Sequence, residues 1–342
     1  RLAAQDTALS RRRSGVRIPY APPLTNSPTR PTVRVGGFLF AGRRQAAVLD
    51  STTLLALLLV LASAAAHATW NLLLKKARQQ EVFAWWLSAF AVLGALPIAL
   101  PLAFLTSFDR VGVWYVIATS LVHICYFLFL GRSLARSDLS LVYPIARGFG
   151  PGVVPILAVL LLGETVGVLG WVGIAAIILG IYTTAWWGQL RRFTTWATLS
   201  TNLPGLGYAL LTGLCIALYT IIDKQGVSHV SPFLYLYLMT CGVTLGWAPY
   251  IIHNYGGSGI INEWRNGWVS VIAASALLFL AYGLVLTAMS ITDVSFVAPV
   301  REVGSLFALA LGAVVLKEWV TRGRVLGAVL IISGVVLITL SR

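Results

Sequence analysis

Arg147 and Glu302 carry the most chemical potential in this chain, because each lies in the middle of an apolar run where a charge is costly to keep. A guanidinium offers five donors in a planar fork and does not deprotonate, so it can hold a carboxylate or phosphonate. A carboxylate near mid-span can alternate between charged and neutral, and so carry a proton. Charge at the centre of a span costs about 3 kcal/mol even on lenient insertion scales, so both groups must face protein or a water-filled cavity. Two roles stay open for Arg147: ligand to a substrate anion, or half of a structural ion pair with Glu302. Tyr143 shares the run of Arg147, and other apolar runs hold His67, Trp70, Asn71, His123 and Tyr126. These could line a cavity for small organic solutes, although an imidazole in such a run is more often a packing residue.

The spacing of the two charges is itself informative. SDLSLVYPIARGFGPGVVPILAVLLLGE at Ser137–Glu164 and TDVSFVAPVREVGSLFALALGAVVLKE at Thr292–Glu318 share a frame at an offset of 155 residues. Asp138 falls on Asp293, Ser140 on Ser295, Pro144 on Pro299 and Arg147 on Glu302, and one deletion later Glu164 falls on Glu318. Around Arg147, Pro144, Gly148, Gly150, Pro151 and Pro155 predict a broken helix. Matching interrupted spans, one per half, mark the binding site of a transporter.

The elements that must position these residues are membrane helices. Hydrophobic residues are 58% of the 342, charged residues 11%, and the mean hydropathy is +0.84, which excludes a soluble globular protein. The net charge of +14 does not imply nucleic acid, since nine of the 25 basic residues are arginines within residues 1–45 and without that tail the charge is +6. Residues 1–45, rich in Arg and Pro, are expected to be a disordered, dispensable tail whose composition resembles translated non-coding sequence, with the fold beginning near Val48. Cys125, Cys215 and Cys241 lie inside apolar stretches and imply no disulfide framework.

Ten apolar runs follow, roughly 51–74, 82–105, 112–133, 138–162, 166–187, 204–224, 231–253, 267–289, 293–316 and 322–341. Most are long enough to span. The predicted organisation is a first five-helix repeat over 46–188, a linker at 189–203 and a second five-helix repeat over 204–342. Further matches tie the halves: Trp70 to Tyr219 and Lys75 to Lys224 at an offset of 149, Ser120 to Ser275 at 155. Five is odd, so the second half crosses in the opposite sense. The fold class is therefore all-α and polytopic, ten transmembrane helices as two inverted repeats. The loops after odd-numbered spans carry eleven Lys/Arg against three on the other side, which points the termini outward, while Arg34, Arg43 and Arg44 pull the other way.

On these residues the chain resembles the drug/metabolite transporter superfamily, specifically the EamA-type permeases. The resemblance covers about 51–341 and rests on the two five-span halves, on YPIARGFGP at 143–151, and on Glu164 and Glu318 closing the fourth and ninth spans. HATWNLLLKKA at 67–77 is similar to a branch associated with phosphonate use. The resemblance implies a helical basket with a central cavity bounded by the first, third, fourth, sixth, eighth and ninth spans, working by alternating access without ATP. The second half departs from the first, with Ala298-Pro299-Val300-Arg301-Glu302 in place of Tyr143-Pro144-Ile145-Ala146-Arg147, so the motif lends no role to Arg301 or Glu302.

The expected function is a permease for a small polar organic metabolite, anionic or zwitterionic, in an inner membrane, with protons as a coupling ion and the bilayer as its surroundings. Arg147, Tyr143, His67, Asn71, Tyr126 and Glu302 are the expected substrate contacts. No cofactor or metal is expected. The rival on the same fold is a lipid-linked sugar flippase. A membrane-embedded transferase would need clustered carboxylates, a metal site or a nucleophile with its base, and the four histidines are scattered. Asp138 and Asp293 are read as caps of their own spans, Glu164 and Glu318 as anchors of the following ones, Lys75 and Lys76 as snorkelling.

Overall fold

A computed structural model describes residues 50–106, 109–137, 139–187 and 196–342. The predicted tail 1–45, linker residues 189–195 and Asp138 lie outside the described residues. Those described are helical, with no strand among them. Residues facing hydrocarbon have no water to satisfy their backbone, and a helix pairs every interior N–H and C=O within itself. The first half comprises α1 (Ser51–Lys75), α2 (Gln80–Leu105), α3 (Arg110–Arg136), α4 (Leu139–Leu162) and α5 (Val168–Trp186). The second comprises α6 (Trp196–His229), α7 (Pro232–Ile291), α8 (Val294–Val300), a 3₁₀ turn (Arg301–Val303), α9 (Gly304–Val315) and α10 (Arg322–Leu340).

The 60 residues of α7 would measure about 90 Å if straight, three times the hydrocarbon core. Gly256, at φ 62° and ψ 173°, turns the chain instead, and Gly267 leaves helical geometry a second time. A positive φ costs glycine nothing and most other residues 1 kcal/mol or more, roughly. The arms at 232–255 and 268–291 are the seventh and eighth spans, and the described helices then make ten crossings, as the sequence predicts. Between the arms, buried Glu263 accepts the Gln79 N–H at 3.2 Å and the Ile260 carbonyl accepts Trp86 Nε1–H at 3.0 Å. The connection is thereby folded over the start of α2.

The two matching spans behave differently. The predicted break around Arg147 does not occur: α4 is one helix from Leu139 to Leu162 with Pro144, Pro151 and Pro155 inside it. Each proline deletes only one N–H, and the glycines serve packing. A methyl on Gly148 would lie 2.9 Å from the Tyr182 ring, and one on Gly150 2.6 Å from Ile216, so α4 seats between α5 and α6. The second copy does break, at the 3₁₀ turn that carries Arg301 and Glu302. A 3₁₀ turn inside a span often marks strain or a hinge.

The junction before α8 is also built otherwise than predicted. Asp293 does not cap α8 with its side chain; its carboxylate is paired with Arg342. The cap comes from the other half: Glu164 Oε1 and Oε2 accept the N–H groups of Val294 and Ser295, each at 2.9 Å. Lys224 Nζ meanwhile donates to the carbonyls of Met289 at 2.6 Å and Thr292 at 2.8 Å. An acid thus sits on a helix start and a base on a helix end, as the peptide dipoles favour. Glu164→Ala should destabilise this junction by about 1 kcal/mol. Hydrogen exchange at the Val294 and Ser295 amides checks it, with unchanged protection counting against the cap. On Glu318, the hydrogen bond from Lys75 at 2.8 Å, ahead of that residue's charge and of Arg324, holds the carboxyl below the ordinary carboxylate range.

α5 and α10, the fifth span of each half, form the most extensive helix pairing. A methyl on Gly173 would lie 2.7 Å from the Gly334 carbonyl oxygen, and one on Gly180 2.8 Å from that of Gly327. The helices meet backbone to backbone, as small residues allow in membranes.

Candidate functional site

Within the bundle, six elements bring charged and aromatic side chains together. Arg147 from α4 reaches Glu302 from the 3₁₀ turn, Nη2 to Oε2, at 3.5 Å, with the side chains 23% and 7% exposed. Residues matched across the repeat therefore meet across it. The contact is long for a charge-assisted bond, where about 2.8 Å is usual. Ser305 Oγ donates to the Glu302 carbonyl at 2.7 Å and steadies the turn.

His67 of α1 stands in electrostatic reach of both Arg147 and Arg301. Its Nδ1 accepts from Trp70 Nε1–H at 3.2 Å, ring edge to ring face at 5.0 Å and 87°. Asn71 turns its amide nitrogen back onto the His67 carbonyl at 2.7 Å. The Tyr126 ring from α3 meets Phe127 at 5.1 Å and Tyr219 at 6.2 Å, both edge-on. The Tyr143 backbone lies in α4; its side chain is outside the described residues. Arg147, Glu302 and His67 are thus brought into one electrostatic cluster, Tyr126 borders it through Tyr219, and Asn71 is tied to its own helix.

Sequence reasoning passed over two members of this cluster. Arg301 lies over the Tyr282 ring at 5.5 Å and reaches Tyr219. Asp223 of α6 is 0% exposed and accepts three hydroxyl donors: Thr119 at 2.6 Å and Tyr235 at 2.9 Å on Oδ1, Tyr282 at 2.5 Å on Oδ2. Beside it, His123 stacks on Tyr219 at 4.1 Å, and its Nδ1 lies 2.8 Å from the Thr119 carbonyl and 3.2 Å from that residue's hydroxyl. Asp223 precedes Lys224 near the end of an apolar run, where a charge pair reads as interfacial. The signal that could have found it is its repeat-mate, Leu74, an apolar side chain where the second half has an acid.

The cluster contains two guanidiniums and two carboxylates. An anion arriving at Arg147 would compete with Glu302 for the same donors, and the aromatic rings supply apolar surface beside them.

The sequence pattern of the EamA-like transporter family matches residues 54–186 and again 203–340. No curated protein matches the chain. Among 28 matching chains of solved structures, one crystal structure aligns over 85% of this chain and 98% of its own, with a TM-score of 0.63 and 16% identity. At that identity the likeness shows the fold alone.

Proposed function

The chain belongs to the EamA-like transporter family, and from that premise we propose that it is a secondary transporter moving a small polar organic metabolite, anionic or zwitterionic, across the inner membrane by alternating access. The family consists of transporters and not enzymes, and the long apolar helices make the protein a multi-pass membrane protein. The observation that carries the cargo reading is the Arg147–Glu302 contact, a 3.5 Å approach between two largely buried charges on opposite repeats. A pair held this loosely can be opened by a carboxylate or phosphonate that fits the guanidinium fork better. His67 and Tyr126 complete the lining in this reading.

Flux into liposomes carrying the full chain, supplied with a mixed metabolite pool and read by mass spectrometry, tests it. An anion or zwitterion should accumulate, and Arg147→Ala should weaken its apparent affinity about 10- to 100-fold, the worth of hydrogen bonds to a charge. Glu302→Gln should tighten it, because the competitor is gone. Undiminished affinity in Arg147→Ala leaves the arginine as a structural partner and defeats the anionic reading.

The flippase alternative asks for a groove open to lipid. A groove of about 490 Å³ lies between α2 and α7, lined by Phe90, Ile98, Phe233 and Phe279. Its hydroxyls are spent on backbone, Ser275 on the Leu87 carbonyl at 2.9 Å and Thr287 on the Gly283 carbonyl at 2.8 Å, and among the described residues no charged side chain lines it to recognise a phosphate or sugar.

A further inference from the structure

We propose that Asp223 is the proton-binding site that couples transport, with His123 and Thr119 as its relay to the interior; the coupling rests on the transporter reading above. The two buried acids of the cluster have different surroundings. The cationic neighbours of Glu302 are Arg147 and Arg301, and a guanidinium can only donate, so it satisfies a carboxylate and repels an added proton. Asp223 is held by three hydroxyls instead, from Thr119 on α3, Tyr235 on the first arm of α7 and Tyr282 on the second. A hydroxyl donates or accepts by turning. The same three partners can therefore serve the ionised acid as donors and the neutral acid as acceptors of its O–H. Among the described residues no cation lies within ion-pair distance of Asp223.

The other charged and titratable groups facing this site are His123 and Tyr115 on α3, the latter acting on Tyr235, Tyr219 on its own helix, and Arg301 on the 3₁₀ turn, with Tyr219 and Arg301 linked through the ring contacts of His123 and Tyr282. The charge of Arg147 on α4 also acts on Tyr219. The residues of α8 are apolar but for Ser295.

Geometry supplies the relay. A carbonyl oxygen only accepts, so the 2.8 Å contact of His123 Nδ1 to the Thr119 carbonyl places the imidazole proton on Nδ1 and leaves Nε2 as the acceptor. A proton entering at Nε2 releases the Nδ1 proton across 3.2 Å to Thr119 Oγ1, whose own proton passes across 2.6 Å to Asp223 Oδ1. One proton enters, one carboxyl O–H forms, and His123 is left as its other neutral tautomer. No larger cation is needed or accommodated, since all three hydroxyls already occupy the carboxylate of a fully buried residue. Neutralising Asp223 leaves Arg301 as unbalanced charge in the cluster, which favours an anion there. That is the linkage a proton-coupled carrier requires.

Infrared difference spectra of the purified full-length protein between about pH 9 and about pH 5 test the site without any cargo. A protonated-carboxyl band should appear on acidification, vanish in Asp223→Asn and persist in Glu302→Gln and Glu164→Gln. Asp223→Glu should move the band to a glutamic-acid frequency, which keeps the test open where the asparagine variant folds poorly. His123→Phe should slow the band's appearance after a pH jump and leave its final size unchanged. A band that survives Asp223→Asn, or its absence from the parent, overturns the proposal. Because the readout needs no substrate, its failure leaves the Arg147 test standing, and failure of that test leaves this one.

Discussion

Gly173→Ala should cost about 2 kcal/mol of stability, and Gly173→Leu should leave little folded protein, because overpacking a tight interface typically costs 1–3 kcal/mol for small insertions and more for large ones. The ideal Cβ position at Gly173 lies 2.7 Å from the Gly334 carbonyl oxygen and 2.9 Å from the Ile338 backbone nitrogen. Two of the three nearest atoms are therefore backbone, which cannot rotate aside as a side-chain tip can. Relief requires the two helices to separate, and separation loses contacts along the whole of the α5–α10 pairing. Heating the detergent-solubilised variants and following the monomer peak by size exclusion checks this. Gly94, where a methyl would meet nothing within 4 Å, is the control: Gly94→Ala should match or slightly exceed the parent, since alanine is the better helix former. Equal stability of Gly173→Ala and Gly94→Ala would mean the interface is looser than these distances say.

Asp223→Leu should cost on the order of 4 kcal/mol, because it strips the shared acceptor from Thr119, Tyr235 and Tyr282 at once and each buried donor left unmet costs about 1–3 kcal/mol. Asp223→Asn should cost far less. An amide keeps one oxygen to accept from Thr119 and Tyr235, and its nitrogen can donate to the Tyr282 hydroxyl oxygen once that hydroxyl turns. Thermal unfolding of the two variants side by side separates the acid's structural from its ionic contribution, and a leucine variant as stable as the asparagine one would show that the three hydroxyls find other partners.

Much of the fold was legible because lipid imposes it: long apolar runs must be helices, and the matched frames around Arg147 and Glu302 expose the inverted repeat. What the runs could not convey was how a helix absorbs its irregular residues. Three prolines and two glycines around Arg147 read as a break, yet α4 stays helical because Tyr182 and Ile216 fill the glycine notches. The cap on α8 was likewise hidden, since a nearby Asp293 is the local choice and Glu164, 130 residues away, is visible only in three dimensions. At the site, pattern located the intramembrane charges Arg147 and Glu302, whose depth in an apolar run is conspicuous. It missed Asp223, whose place beside Lys224 disguises a wholly buried acid as an interfacial one.

The α5–α10 pairing has a consequence for biogenesis. Gly334 leaves the ribosome about 160 residues after Gly173, roughly 10–30 seconds at ordinary rates of synthesis. Throughout that interval the notched face of α5 is in the membrane without its partner, which is made five spans later. Neighbouring nascent chains present the same unfilled notch, so crowded translation favours exchange of α10 between molecules, and slow expression favours closure within one.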